Sequence, residues 1–165
     1  MTNKVRIAGI AFVIFFLAFA TDAQEFHKQL PVAEKQHILD GPFTVVMKTE
    51  DMPASVKQVF TKITGEPAFA LANPGRKFRL TDVNPDLTLP RRRLVFAGTR
   101  GDEWFVHYEL GGFAHSYCVV LFSVDSKNSP QFLWGGSGFH AAKNMDELRK
   151  MIAHGEFADD KQNYW

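Results

Sequence analysis

Residues 93–139 read RLVFAGTRGDEWFVHYELGGFAHSYCVVLFSVDSKNSPQFLWGGSGF, and this stretch decides the fold. Runs rich in β-branched and aromatic residues occupy 93–98, 103–110, 113–124 and 131–139. Between them stand Thr99-Arg100-Gly101-Asp102, Gly111-Gly112 and the polar stretch 126–130, short segments of the residue types that tolerate turn dihedrals. Strands in succession with such tight connections predict an antiparallel meander.

Upstream, residues 43–48 alternate and favour β structure, and residues 53–64 place Val56, Val59, Phe60 and Ile63 on one helical stripe. Pro53 suits the first helical turn and Gly65 the stop. Residues 68–72 and 77–83 flank Asn73-Pro74-Gly75-Arg76, a hairpin-like pattern. Downstream, Asn144 can cap a helix while Glu147 reaches back, with Met145, Leu148, Met151 and Ile152 as its apolar stripe up to Gly155. Two main helices packed on one face of a mostly antiparallel sheet make a single α+β domain.

Gly111-Gly112, read as a two-residue turn, pairs Leu110 with Phe113 and fixes the register of the central hairpin. Trp104, Val106, Tyr108 and Leu110 then share a core-like face with Phe113, His115, Tyr117, Val119 and Leu121. The opposite face collects Phe105, His107 and Glu109 with Ser116, Cys118, Val120 and Phe122. In that register His107 stands across from Ser116 with Cys118 on the diagonal, so a base, a carboxylate and two nucleophiles are neighbours. Such a group has the makings of a hydrolytic site in which His107 takes a proton from Ser116 or Cys118 and Glu109 orients the imidazole. Opposed residues lie about 5 Å apart at Cβ and diagonal ones about 7 Å, which favours Ser116 over Cys118. A mixed, partly covered sheet face is the plainer expectation, because nucleophiles usually stand on turns or helix ends.

The local excess of positive charge is Arg91-Arg92-Arg93, with Arg76, Lys77 and Arg79 on the preceding segment. Arginine forks grip carboxylates and phosphates bidentately, so Arg79, Arg91, Arg92 and Arg93 are candidates for an anionic ligand or an acidic partner surface. They also fit a strand edge guarded by charge against aggregation. No metal or other cofactor is expected. His107, His115 and His140 lack the spacing of a zinc site, and the first two point to opposite faces in the register above. Gly135-Gly136-Ser137-Gly138 has the composition of a phosphate loop but neither its lysine nor an immediately following helix, and reads instead as a bulge or a tight strand exit.

The amino terminus adds a location. Lys4 and Arg6 precede an uncharged apolar run over 7–20, too short for a comfortable span of the bilayer at about 20 residues. Small residues follow where a signal peptidase reads, so residues 1–23 are expected to be an export signal cleaved after Ala20 or Ala23. Residues 24–165 then form the working domain, in the periplasm or outside the cell, with no stable membrane anchor. Losing Lys4, Arg6 and Asp22 from 19 basic and 18 acidic residues leaves 17 of each. An exported chain without net charge is a poor partner for nucleic acid. One cysteine, Cys118, excludes an internal disulfide, so packing must hold the fold, and 16 phenylalanines supply bulk for it. The expected function is an exported binding or interaction module, directed at another envelope or secreted protein or at an anionic ligand. A hydrolase using His107 with Ser116 or Cys118 is the alternative.

Overall fold

The computed structural model describes residues 32–83, 86–124 and 130–158. The expected export signal and the terminal Tyr164 and Trp165 lie outside the described residues. The meander is present as β3 (Arg92–Arg100), β4 (Glu103–Leu110), β5 (Ser116–Ser123) and β6 (Gln131–Gly138), each antiparallel to the next. Two short strands complete the 6-stranded sheet along the outer edge of β3. β1 (Thr44–Val46) pairs antiparallel with its second half, and β2 (Leu71–Ala72) runs parallel to its first residues. The domain is α+β with a mostly antiparallel sheet, as its strand pattern predicts.

The helices do not share a face. α2 (Ala54–Ile63) packs Val56, Val59 and Phe60 against Leu94, Val106, Tyr108, Leu110, Val120 and Phe122. α3 (Met145–Ala153) and α1 (Val32–Asp40) cover the other side, where Leu148, Met151, Ile152 and Ile38 meet Phe96, Phe105, Val119 and Leu121. This corrects the expectation that both main helices lie on one face. The physical reason is visible in β4 and β5: residues 104–110 and 118–122 are buried without interruption. A strand buried on both sides needs a cover on both sides.

Local chemistry sets each boundary. α3 begins at Asn144, whose Oδ1 accepts from the Glu147 N–H at 2.9 Å, while the Glu147 carboxylate accepts from the Lys143 N–H at 2.8 Å. α2 ends at Thr64, whose hydroxyl donates to the Phe60 carbonyl, and Gly65 follows at φ 65°. Arg149 of α3 donates to the carbonyls of Ile38 and Gly41, so α3 caps the open end of α1. The expected hairpin at 68–83 keeps its Asn73–Arg76 turn, with Arg76 N–H on the Asn73 carbonyl at 3.1 Å, but residues 77–83 form no strand. They cross the end of the sheet instead, with Arg79 N–H on Pro90 O and Gly112 N–H on Leu80 O.

Two irregularities re-aim side chains. In β3 the pairing steps from Leu94–Tyr108 to Phe96–His107, leaving Val95 as an extra residue. This bulge lets Leu94 and Ala97 face α2 while Phe96 faces α3. In β6, Gly136 lies where a Cβ would sit 2.6 Å from the Trp134 ring and 2.9 Å from Phe157. The glycine stretch is therefore strand, neither a phosphate loop nor a strand exit, and its bareness lets the chain at 156–158 pass over β6 and pair Ala158 with Ser137. Among the described residues no helix is long and apolar enough to cross a membrane.

Candidate functional site

The register of the central hairpin decides which polar groups meet. β4 pairs with β5 so that Leu110 opposes Ser116, Tyr108 opposes Cys118 and His107 opposes Val119. The connection runs over 111–115 rather than two residues, a displacement by an odd number of positions, so every β5 side chain changes face. Ser116 and Cys118 therefore lie on the α2 side with Tyr108, and His107 and Glu109 lie on the α3 side. The nucleophile, base and carboxylate arrangement expected from a tight Gly111-Gly112 turn is not assembled.

His107 is fully buried and both ring nitrogens are engaged. Nδ1 lies 2.9 Å from the Cys118 carbonyl, which only accepts, and Nε2 lies 3.0 Å from the Ala142 N–H, which only donates. Those partners fix one neutral tautomer, proton on Nδ1. Burial lowers its pKa from 6.5 to about 4, against a smaller upward pull from the Cys118 carbonyl. The imidazole is a strut that ties the segment before α3 to the sheet. Phe96 and Phe157 stand edge-on to its ring at 5.4 and 5.8 Å.

Glu109 serves a different histidine. One of its oxygens takes Nε and a terminal nitrogen of Arg93 at 2.9 and 2.5 Å, and the other lies 2.7 Å from His115 Nε2. His115 thus shares the face of Glu109 and His107, contrary to the expected register. Desolvation raises the pKa of neighbouring Tyr117, and the Glu109 charge adds to it. The Ser116 hydroxyl is 3.9 Å from the Cys118 thiol and away from this group.

The arginines divide by strand parity. Arg92 points to the α2 side, is wholly buried, and binds Glu66 and the Thr64 carbonyl. Beside it lies Tyr108, whose pKa is pushed well above 10 by burial and then by Cys118. Arg93 points the other way onto Glu109, with its guanidinium 4.4 Å from the Phe78 ring. Arg92 and Arg93 are thus neutralised inside the protein. Alternation along a strand already separates neighbours 92 and 93, a signal the sequence carries. It gives no sign of Glu66 as the acid that a buried Arg92 requires.

Arg79 and Arg91 remain at a cleft of about 420 Å³ that is also lined by Glu66, Leu71, Leu87 and Pro90. Arg91 Nε reaches the Gly111 carbonyl at 3.4 Å, and no described protein group accepts from the buried Nε of Arg79. Among the described residues neither guanidinium has a carboxylate within ion-pair distance. Glu66 faces the cleft but is held by Arg92, and Asp82 accepts from the Phe113 N–H at 3.0 Å. Two guanidinium groups thus stand beside a concave, partly apolar wall. No family model, curated protein or solved structure matches this chain.

Proposed function

We propose that the protein is an exported binding module whose cleft takes a carboxylate- or phosphate-bearing ligand on Arg79 and Arg91. The observation that carries the reading is the pair of guanidinium groups at one cleft with no carboxylate partner among the described residues, next to two arginines that each hold a glutamate. A buried donor left without an acceptor costs about 1–3 kcal/mol, which an incoming anion would recover. Charge-assisted bonds to a forked cation are also stronger than neutral ones. Export is supported by the basic, apolar and small-residue succession over residues 4–23.

The test is titration calorimetry with inorganic phosphate and with succinate as probes, on the protein and on Arg79→Ala, Arg91→Ala and Arg76→Ala. Binding that weakens at least about tenfold in the first two variants and persists in the third is the expected result, one lost charged hydrogen bond being worth about 1.5–3 kcal/mol. Equal affinity in all of them, or no binding of either probe, overturns the assignment.

A further inference from the structure

Among the exposed large apolar side chains, Val45, Met47 and Phe132 stand on or beside β1 and at the start of β6, and the most exposed gather elsewhere. The most exposed large hydrophobic residues among those described are Phe113 at 101%, Phe139 at 85%, Val83 at 82% and Leu87 at 75%. All lie at one end of the sheet. Phe113 is on the β4–β5 connection, and Phe139 directly follows β6, whose Gly138 pairs with Tyr117 near the start of β5. Val83 and Leu87 belong to the stretch that precedes β3, tied to the same end by Gly112 N–H on Leu80 O and Phe113 N–H on Asp82. Exposed apolar clusters of this kind mark contact sites.

The same end carries Arg79 and Arg91, neither with a carboxylate within ion-pair distance among the described residues. Over residues 76–91 the chain has Arg76, Lys77, Arg79 and Arg91 against Asp82 and Asp86. Asp86 is occupied by the Thr88 hydroxyl and N–H, and Asp82 by Phe113. The apolar side chains stand on separate connections, each almost wholly solvent-facing, so no continuous flat face joins them as a protein interface core would. Single apolar side chains projecting from a cationic rim suit a deformable surface with anionic headgroups.

We propose that this end docks reversibly on an anionic lipid surface. Phe113, Val83, Leu87 and Phe139 enter the interfacial layer, and Arg79 and Arg91 hold lipid phosphates. The assignment of the arginines rests on the anion-binding reading above, whereas the apolar contribution does not.

The test is sedimentation of the exported, processed protein with vesicles of phosphatidylglycerol in phosphatidylcholine and with vesicles of phosphatidylcholine alone. Phe113→Ser, Val83→Ser and Arg79→Ala are run alongside, each also titrated with inorganic phosphate. The expected result is binding to the anionic vesicles only. Arg79→Ala weakens it about fivefold, following the energy per basic residue near such a surface. Either serine substitution weakens it further while leaving phosphate affinity and the melting temperature unchanged, because these side chains bear on no core. Vesicle binding indifferent to Phe113→Ser and Val83→Ser overturns the proposal. Phosphate binding without any vesicle binding overturns it too and leaves the anion cleft standing, and self-association lost on Phe113→Ser would then assign the patch to a second copy. Failure of both phosphate and vesicles to bind refutes both readings.

Discussion

Acidification should weaken this protein through His107 in a way no surface histidine would copy. In the native state its Nε2 accepts the Ala142 N–H, so a proton placed there would set donor against donor in a fully buried site. The folded pKa of about 4 lies below the ordinary 6.5. Above pH 6.5 both folded and unfolded chains carry a neutral ring and the group contributes no pH dependence. Below it the unfolded chain binds a proton that the native protein refuses, so stability falls as pH falls and levels off only below about 4. At about 1.4 kcal/mol per pH unit the interval is worth about 3 kcal/mol in total and about 2 kcal/mol by pH 5. That is a large share of the 5–15 kcal/mol typical of a domain. The assay is urea unfolding from pH 7.5 to 4.5 for the protein and for His107→Gln, because carboxylates common to both cancel in the difference. The wild type should lose about 2–3 kcal/mol more than the variant over that range. Parallel curves would refute the reasoning. Should the variant not fold, the His107 ring resonance of the wild type still decides, since titration near 6.5 would be equally fatal.

Other expectations follow from the buried polar groups. Glu66→Ala strands the wholly buried Arg92 and should cost about 2–4 kcal/mol in denaturant unfolding, whereas Arg92→Met together with Glu66→Ala should recover most of it; a double variant no better than the single one removes the pair from the account. Cys118, fully buried against α2, should react with an alkylating agent at least about a thousandfold more slowly in the native protein than in the urea-unfolded chain, since access requires opening of the core. Fast native alkylation would place the thiol at the surface and reverse the face assignment.

Much of the architecture is legible along the chain because it is locally encoded. The strand runs between 93 and 139, the Val56, Val59 and Phe60 stripe and the Asn144 cap each carry their own periodicity or capping chemistry. The errors arise where distant residues decide. Gly111-Gly112 invites a two-residue turn, yet Gly112 N–H bonds Leu80 O and Phe113 N–H bonds Asp82, contacts made by a segment some 30 positions upstream, and these open the connection. That enlargement alone dissolves the His107, Ser116 and Cys118 grouping. The α1 helix has no strong apolar stripe and is held by Ile38 and by Arg149, so it leaves little trace in the sequence. The uninterrupted apolar run 118–122 carries a signal of burial on both faces that the one-face placement of the helices does not use. The arginine excess was visible as charge, but its division into paired and unpaired members depends on strand parity and on Glu66.

The second core is closed by the two ends of the described chain, Ile38 from α1 and Leu148, Met151, Ile152 and Phe157 from α3 and its exit. A ribosome or a translocation pore delivering this chain in order would therefore release a sheet with one face still bare until residues 142–157 had emerged. The second core can close only after the whole meander has been delivered. The same dependence makes α3 indispensable: a chain cut before Met145 keeps every strand of the meander yet leaves Phe105, Val119 and Leu121 facing water, a ready surface for chaperones and proteases.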